Sequence, residues 1–220
     1  MIVRRVAAEP KPYTVADLLD RLGGIPLSRI RMEPAPGTAT EGDLDKPETV
    51  LCELIDGTLV EKAMGSRQTR LGLFIGSLLL QFVEKLDLGV VLPGDGFLRI
   101  GPGLVRAPGA SFIVWEAIPY EEMLDEDGLW SVCPTLIVEV LSPGNTKAEI
   151  DRKLREFFAA GCKLAWVIDP ATKTAKVHTS ATKAKCLDES GVLDGGKVLP
   201  GFRLALAELF AVGTRKRKKK

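Results

Sequence analysis

Glu139 stands alone in an apolar run, Leu136-Ile137-Val138-Glu139-Val140-Leu141. Burying a carboxylate in the middle of a strand is costly unless a cation or hydrogen-bond donors meet it. The next segment offers a cation. A Ser142-Pro143-Gly144 turn leads into a helical pattern carrying Lys153, and a second apolar run, 163–169, ends in Asp169-Pro170. A strand acid close to a lysine on the following helix suits phosphodiester hydrolysis: the acid can hold a metal ion, and the lysine can position the attacking water. Two plainer readings compete with this one. Glu139 and Lys153 could form a structural ion pair. Alternatively, Glu149 and Lys153, spaced i,i+4, could form a helix-surface pair worth ~0.3–0.5 kcal/mol. Glu53, beside Asp56-Gly57, reads on its own as a solvent-facing strand residue.

These residues need elements to hold them. Thr14 can cap a short helix to Gly23, with Asp17 three residues on as in a capping box. Residues 34–47 are rich in Pro, Gly, Thr and charge and read as a mobile linker or loop. Residues 49–63 form two extended runs around Asp56-Gly57, a strong hairpin signal. Ser66 can cap a long helix from Arg67 to about Leu88, closed by Gly89. That helix is apolar on most faces, as expected of a central buried helix or half of a homodimer contact. Short strands are expected at 90–92, 97–100 and 110–115. The stretch 120–130 is acidic and reads as a short helix or loop. The Glu139 strand then leads to a helix capped by Thr146 and stopped by Gly161. A buried strand at 163–169, hairpin strands at 175–179 and 184–188, and a last helix at 204–210 complete the pattern. Strands and helices mixed in this way predict an α/β (α+β) domain around a mixed sheet.

Composition narrows the function classes. The chain has 220 residues, 45% hydrophobic, enough for one domain with a substantial core. Its longest apolar candidate, 71–83, is interrupted by Gly72, Gly76, Ser77 and Gln81, so no membrane span is expected. The N-terminal residues carry no long apolar stretch of a secretory signal. Four cysteines at 52, 133, 162 and 186 show no CxxC pair, which fits buried reduced thiols in a cytoplasmic protein. Net charge is +1, but the last six residues, 215–220, are all basic, and without them 24 basic residues face 29 acidic ones. The basic tail, 213–220, reads as disordered, with a phosphate-contacting role as the functional alternative. His178 reads as a surface or half-buried strand residue, and the three tryptophans as core or interface residues. No GxxxxGK[ST] phosphate loop occurs.

In order along the chain, CELIDGTLVEKAMGS, VRAPGASFI, LIVEVLSPGNTKAEIDRKLREFFAAG and LAWVIDP together resemble the Uma2 (DUF820) family of restriction-endonuclease-like proteins, part of the PD-(D/E)xK nuclease superfamily. The resemblance spans roughly residues 50–210. It implies a restriction-endonuclease-like mixed β-sheet flanked by helices, and metal-dependent cleavage of DNA. Glu53 and Glu139 would hold Mg²⁺ or Mn²⁺, and Lys153 would assist the water. One position departs from the family: where it has Pro-Asp, this chain has Pro108-Gly109, and glycine offers no carboxylate. The family's second Pro-Asp reads Pro134-Thr135. Asp95 and Ser111 are candidates to substitute. Two functional expectations follow from the departure. One is an endodeoxyribonuclease-like hydrolase impaired at Gly109. The other is a non-catalytic binding or assembly module that keeps the nuclease fold.

The expected organisation is an N-terminal helical arm and loop over 1–48, a nuclease-like domain over 49–212, and the basic tail. If the tail contacts DNA, deleting residues 215–220 lowers affinity and flattens its salt dependence in a filter-binding titration. An unchanged salt slope would show the tail to be a bystander.

Overall fold

The computed structural model of the protein describes residues 14–49, 51–120, 123–124 and 128–214. From residue 215 on, the expected tail lies outside the described residues, as does the start of the expected arm. Thr14 and Asp17 form the capping box, each side chain accepting from the other's backbone N–H, and start α1, Val15–Arg21. Leu18 of this helix and its C-cap Leu22, with Ile25 and Ile30, pack on Ile55 and Val60 of a β-hairpin. That hairpin joins β1, Cys52–Ile55, to β2, Thr58–Glu61, through Asp56 and Gly57. Both turn residues take left-handed φ values, 49° and 67°, as a tight two-residue turn of this twist requires.

The 34–47 segment is not the mobile linker that its composition suggests. The amides of Gly37 and Ala39 both donate to the Gly57 carbonyl at 2.8 Å. A second capping box, Thr40 with Asp43, tightens a 3-10 turn over Glu41–Asp43. The hairpin turn therefore anchors the loop, a contact that local composition cannot reveal.

The long helix, α2, spans Ser66–Leu86, with Gly65 rather than Ser66 at its N-cap. It ends at Asp87, in the left-handed region, not at Gly89. Gly89 instead opens β3, Gly89–Pro93, where a Cβ would sit 2.0 Å from the Ile113 carbonyl oxygen. Then follow β4, Leu98–Gly101, β5, Leu104–Arg106, β6, Ala110–Val114, and β7, Leu136–Val140. Next come α3, Lys147–Ala160, β8, Leu164–Asp169, β9, Thr174–His178, and β10, Ala184–Leu187. The last elements are β11, Val192–Asp194, β12, Arg203–Ala205, and α4, Leu206–Thr214. The strands β5, β11 and β12 are each three residues long and were not anticipated from periodicity, which needs a longer run.

Six strands form the main sheet in the order β10-β9-β8-β7-β6-β3. Its parallel pair, β7 and β8, is bridged by α3, while its other neighbours are antiparallel. A second sheet runs β2-β1-β5-β4, and β11 pairs with β12. The strand period of two sorts the main sheet's faces. Leu136, Val138 and Val140 face the core built with Leu71, Ile75, Leu79 and Val83 of α2. Ile137 faces the opposite way, with Ile150, Leu154 and Phe157 of α3, and alternation puts Glu139 on that α3 side. On α2, Leu73 and Leu80 remain exposed, so the helix is buried along one stripe rather than all round. Trp166 stacks on Phe202 in the core, but Trp115 is exposed. His178 is buried, 7% exposed, contrary to the surface or half-buried position expected. All four cysteines are free, and Cys186 is exposed. Among the described residues, no helix is long and apolar enough to cross a membrane.

Gly57→Ala should cost about 1–3 kcal/mol, because a side chain there is strained at φ 67° and its Cβ would lie 2.6 Å from the Gly37 carbonyl oxygen. Urea denaturation measures it, and an unchanged midpoint would show that the turn does not anchor the 34–47 segment.

Candidate active site

Four elements, β1, β5, β7 and α3, deliver charged side chains to one buried point between the two sheets. The β1–β5 register pairs Leu54 with Val105, so one step along it sets Glu53 across from Arg106 on the same face. Arg106 Nη1 donates to Glu53 Oε2 at 2.8 Å, and the Ala107 N–H donates to Glu53 Oε1 at 2.9 Å. From α3, the Lys153 ammonium lies 2.8 Å from Glu53 Oε1 and 2.6 Å from Glu139 Oε1. The Lys153–Glu139 approach is a charge contact; Glu139 Oε1 lacks a well-aligned donor. Arg106 also binds Glu156 of α3, its Nε donating to Oε2 at 2.8 Å. Beyond Glu156 the signs continue to alternate through Arg152, Asp56 and Arg21, at 2.7, 3.0 and 2.9 Å.

Burial and partners set opposite protonation behaviour in the two acids. Burial alone would raise the pKa of Glu53, but the charges of Lys153 and Arg106 outweigh it and hold the carboxyl well below its ordinary value. Glu139 is raised, first by burial and then by the neighbouring Glu53 charge, with Lys153 opposing. Burial works against the Lys153 ammonium, yet Glu139 and Glu53 together raise its pKa, so it stays charged.

Glu53, Glu139 and Lys153, the candidates named from sequence, thus meet at one point. Glu53 is not a solvent-facing strand residue; it is 2% exposed. The competing Glu149–Lys153 pair does not form. Glu149 is held by Arg29, with Nη2 to Oε1 at 2.7 Å and Nη1 to Oε2 at 3.0 Å, and by Asn145 at 3.0 Å. Lys153 is therefore turned away from its helix neighbour. Sequence reasoning missed Arg106, Glu156 and Lys62. Arg106 carried a readable signal, a lone charge within Leu104-Val105-Arg106-Ala107, the same signature that marks Glu139. Lys62, just beyond β2, donates its amine to the Gly94 carbonyl. Burial first, then the nearby Lys153 charge, lowers its pKa.

Gly109 lies beside Glu139 in the main sheet. Ala110 pairs with Val138, so one step along the register places Gly109 opposite Glu139. A Cβ at 109 would sit 3.0 Å from the Val138 carbonyl oxygen, a tight but not forbidden contact. Ser111 follows on the same face, two residues along, buried and with an unpartnered Oγ. Asp95 is exposed in the turn between β3 and β4. The donor set does not fit a divalent cation that wants several anionic oxygens. Both oxygens of Glu53 are engaged by Arg106, Ala107 and Lys153, and Glu139 shares Lys153. Among the described residues, no group of three or more His, Cys, Asp or Glu could hold a metal ion.

Comparison with known proteins gives this geometry a lineage. The profile of the Uma2 family, described as "Putative restriction endonuclease", matches residues 42–207, and the chain belongs to that family. The fold is similar to a crystal structure of "a putative nuclease belonging to DUF820" from Anabaena variabilis. The TM-score is 0.66 at 19% identity, over 74% of this chain and 90% of that one. No curated protein matches the chain. The α+β, nuclease-like fold expected from the sequence is therefore the one observed.

Arg106→Met leaves Glu53 buried with one cation fewer and should cost about 3–5 kcal/mol in urea denaturation, with much of the loss recovered in Glu53→Gln/Arg106→Met. The acid limb should change as well. Glu53, with its lowered folded pKa, stabilises fully above its ordinary value of 4.5 and loses that contribution as pH falls. Arg106→Met brings the folded pKa closer to 4.5, so stability should fall less steeply below pH 4.5. An unchanged acid slope would mean that Arg106 does not hold Glu53 ionised.

Proposed function

We propose that this Uma2 protein is a nuclease-like protein whose phosphodiester-hydrolysing centre is impaired. DNA is the polymer class it would engage. Glu139 and Lys153 are the surviving reactive pair: the carboxylate is the acid left to receive a cation, and the ammonium would sit against phosphate charge and orient water. Glu53 is better suited to holding Lys153 in place than to binding metal, because its oxygens already have partners. One observation carries the reading. Gly109 stands opposite Glu139, at the position where the resemblance to the family implies an aspartate.

A second reading has its own support. The charge of the two buried acids is already balanced by Lys153 and Arg106, and α2 keeps Leu73 and Leu80 exposed. Both features suit a non-catalytic binding or assembly module, homodimeric through α2, that retains the nuclease fold.

Mn²⁺ titration calorimetry on the parent protein and on Gly109→Asp tests the proposal, with DNA cleavage in Mn²⁺ as a second readout. The parent should show no saturable site. Gly109→Asp should bind Mn²⁺, and its cleavage should exceed the parent's by roughly 100-fold or more. Adding Glu139→Ala should abolish both gains. Saturable Mn²⁺ binding by the parent, lost in Glu139→Ala and accompanied by cleavage, would overturn the impairment. Binding by Gly109→Asp without cleavage would favour the module.

A further inference from the structure

A cavity of about 570 Å³ lies on the far side of α3 from the buried acids. Its floor is apolar: Leu141 from the end of the Glu139 strand, Val167 of β8, and Ile150 and Leu154 of α3. Its walls are cationic and polar. Arg67 comes from the first turn of α2, Lys176 and His178 from β9, and Ser142 and Thr146 from the loop that enters α3. The faces of α3 explain the division. Lys153 and Glu156 point to the second sheet, while Ile150, Asp151 and Leu154 line the cavity.

Two of the lining residues carry a buried nitrogen without the partner that burial demands. Arg67 Nε is buried without a hydrogen bond, and so is Nδ1 of His178, a residue 7% exposed. Buried polar nitrogens are nearly always paired, so two orphans in residues of one cavity are a departure that a ligand would relieve by reordering their side chains. Asp151 and Asp169 share the lining with Arg67, Lys147 and Lys176, so the wall is positive by one charge. Asp151 is paired with Lys147, and Asp169 Oδ1 accepts the N–H groups of Ala171 and Thr172. Neither Arg67 nor Lys176 has an ion-pair partner among the described residues. A guanidinium fork and an ammonium lining one cavity suit a phosphate dianion, and the apolar floor needs a flat or aliphatic body to cover it. The volume falls in the range of sites for small organic ligands.

We propose that this cavity binds a small phosphate monoester with an apolar body of mononucleotide size. Its phosphate would contact Arg67 and Lys176, its polar edge His178, and its body Ile150, Leu154 and Val167. The proposal does not depend on whether the Glu139 site is active.

The chain has one histidine, so the His178 ring gives a single set of imidazole nitrogen signals. Titration of the full chain with adenosine 5′-monophosphate, followed by calorimetry and by ¹H–¹⁵N spectra of that ring, tests the site. Adenosine and inorganic phosphate serve as partial probes. Saturable one-to-one binding that moves the His178 signals is expected, with inorganic phosphate roughly tenfold weaker or more. Arg67→Gln, at a half-exposed position on the first turn of α2, should weaken binding by about tenfold or more through loss of the charged fork. The proposal is overturned by no saturable binding at about 5 mM nucleotide, where even a millimolar site would be mostly filled. It is equally overturned by binding that leaves His178 unmoved, by binding that Arg67→Gln leaves unchanged, or by inorganic phosphate binding as tightly as the nucleotide.

Discussion

The structure depends on neutralising Glu53 and Glu139, two carboxylates buried between its sheets. Neither is affordable alone in a low-dielectric interior. The protein meets this with cations from two directions, Lys153 from α3 and Arg106 from β5, and passes the imbalance outward through Glu156, Arg152, Asp56 and Arg21. The arrangement decides several other features. It fixes the β1–β5 register, because Glu53 must face Arg106. It also orients α3, because Lys153 and Glu156 must both reach the second sheet while Ile150, Leu154 and Phe157 keep the main one.

Much of this was legible in the sequence, for reasons that can be named. A lone charge in an apolar strand must be met by a counter-charge, so Glu139 announced a partner, and the following helix offered Lys153. Cap residues at Thr14 and Thr146 marked two helix starts correctly, because the capping box is a local interaction. Errors arose where distant contacts decide. The 34–47 loop looked mobile by composition, but the Gly57 carbonyl holds it. Glu149 looked like a partner for Lys153, but Arg29, 120 residues away in sequence, takes it. His178 alternates like a surface strand residue, yet it is buried beside the α3 cavity. Arg106 was missed because a three-residue strand is too short to show a period, although its apolar flanks were a usable clue.

The region around Gly109 is close-packed, backbone against backbone. Gly72 of α2 and Gly94 of the β3–β4 turn both lie close to the Gly109 carbonyl, each with a would-be Cβ 3.3 Å from that oxygen. Backbone therefore packs against backbone here, leaving little space for side chains. The remaining acids do not require an aspartate at 109 for their own stability, since Lys153 and Arg106 already balance them. Had a metal ion been their sole counter-charge, losing a ligand would have left buried anions uncompensated.

The alternating charges also have a consequence for how the molecule comes apart. Each internal member touches a neighbour of opposite sign on another element, so opening the chain at one link strands a charge on each side. The links join α1, β1, the β1–β2 turn, β5, α3 and β7. Partial opening of β1, β5, β7 or α3, whose links are buried, is thereby penalised more than their apolar contacts alone would require, while the exposed Arg21–Asp56 link adds little. The second sheet and α3 are coupled into a single cooperative unit of local unfolding, one that protease nicking would find closed until the whole unit opens.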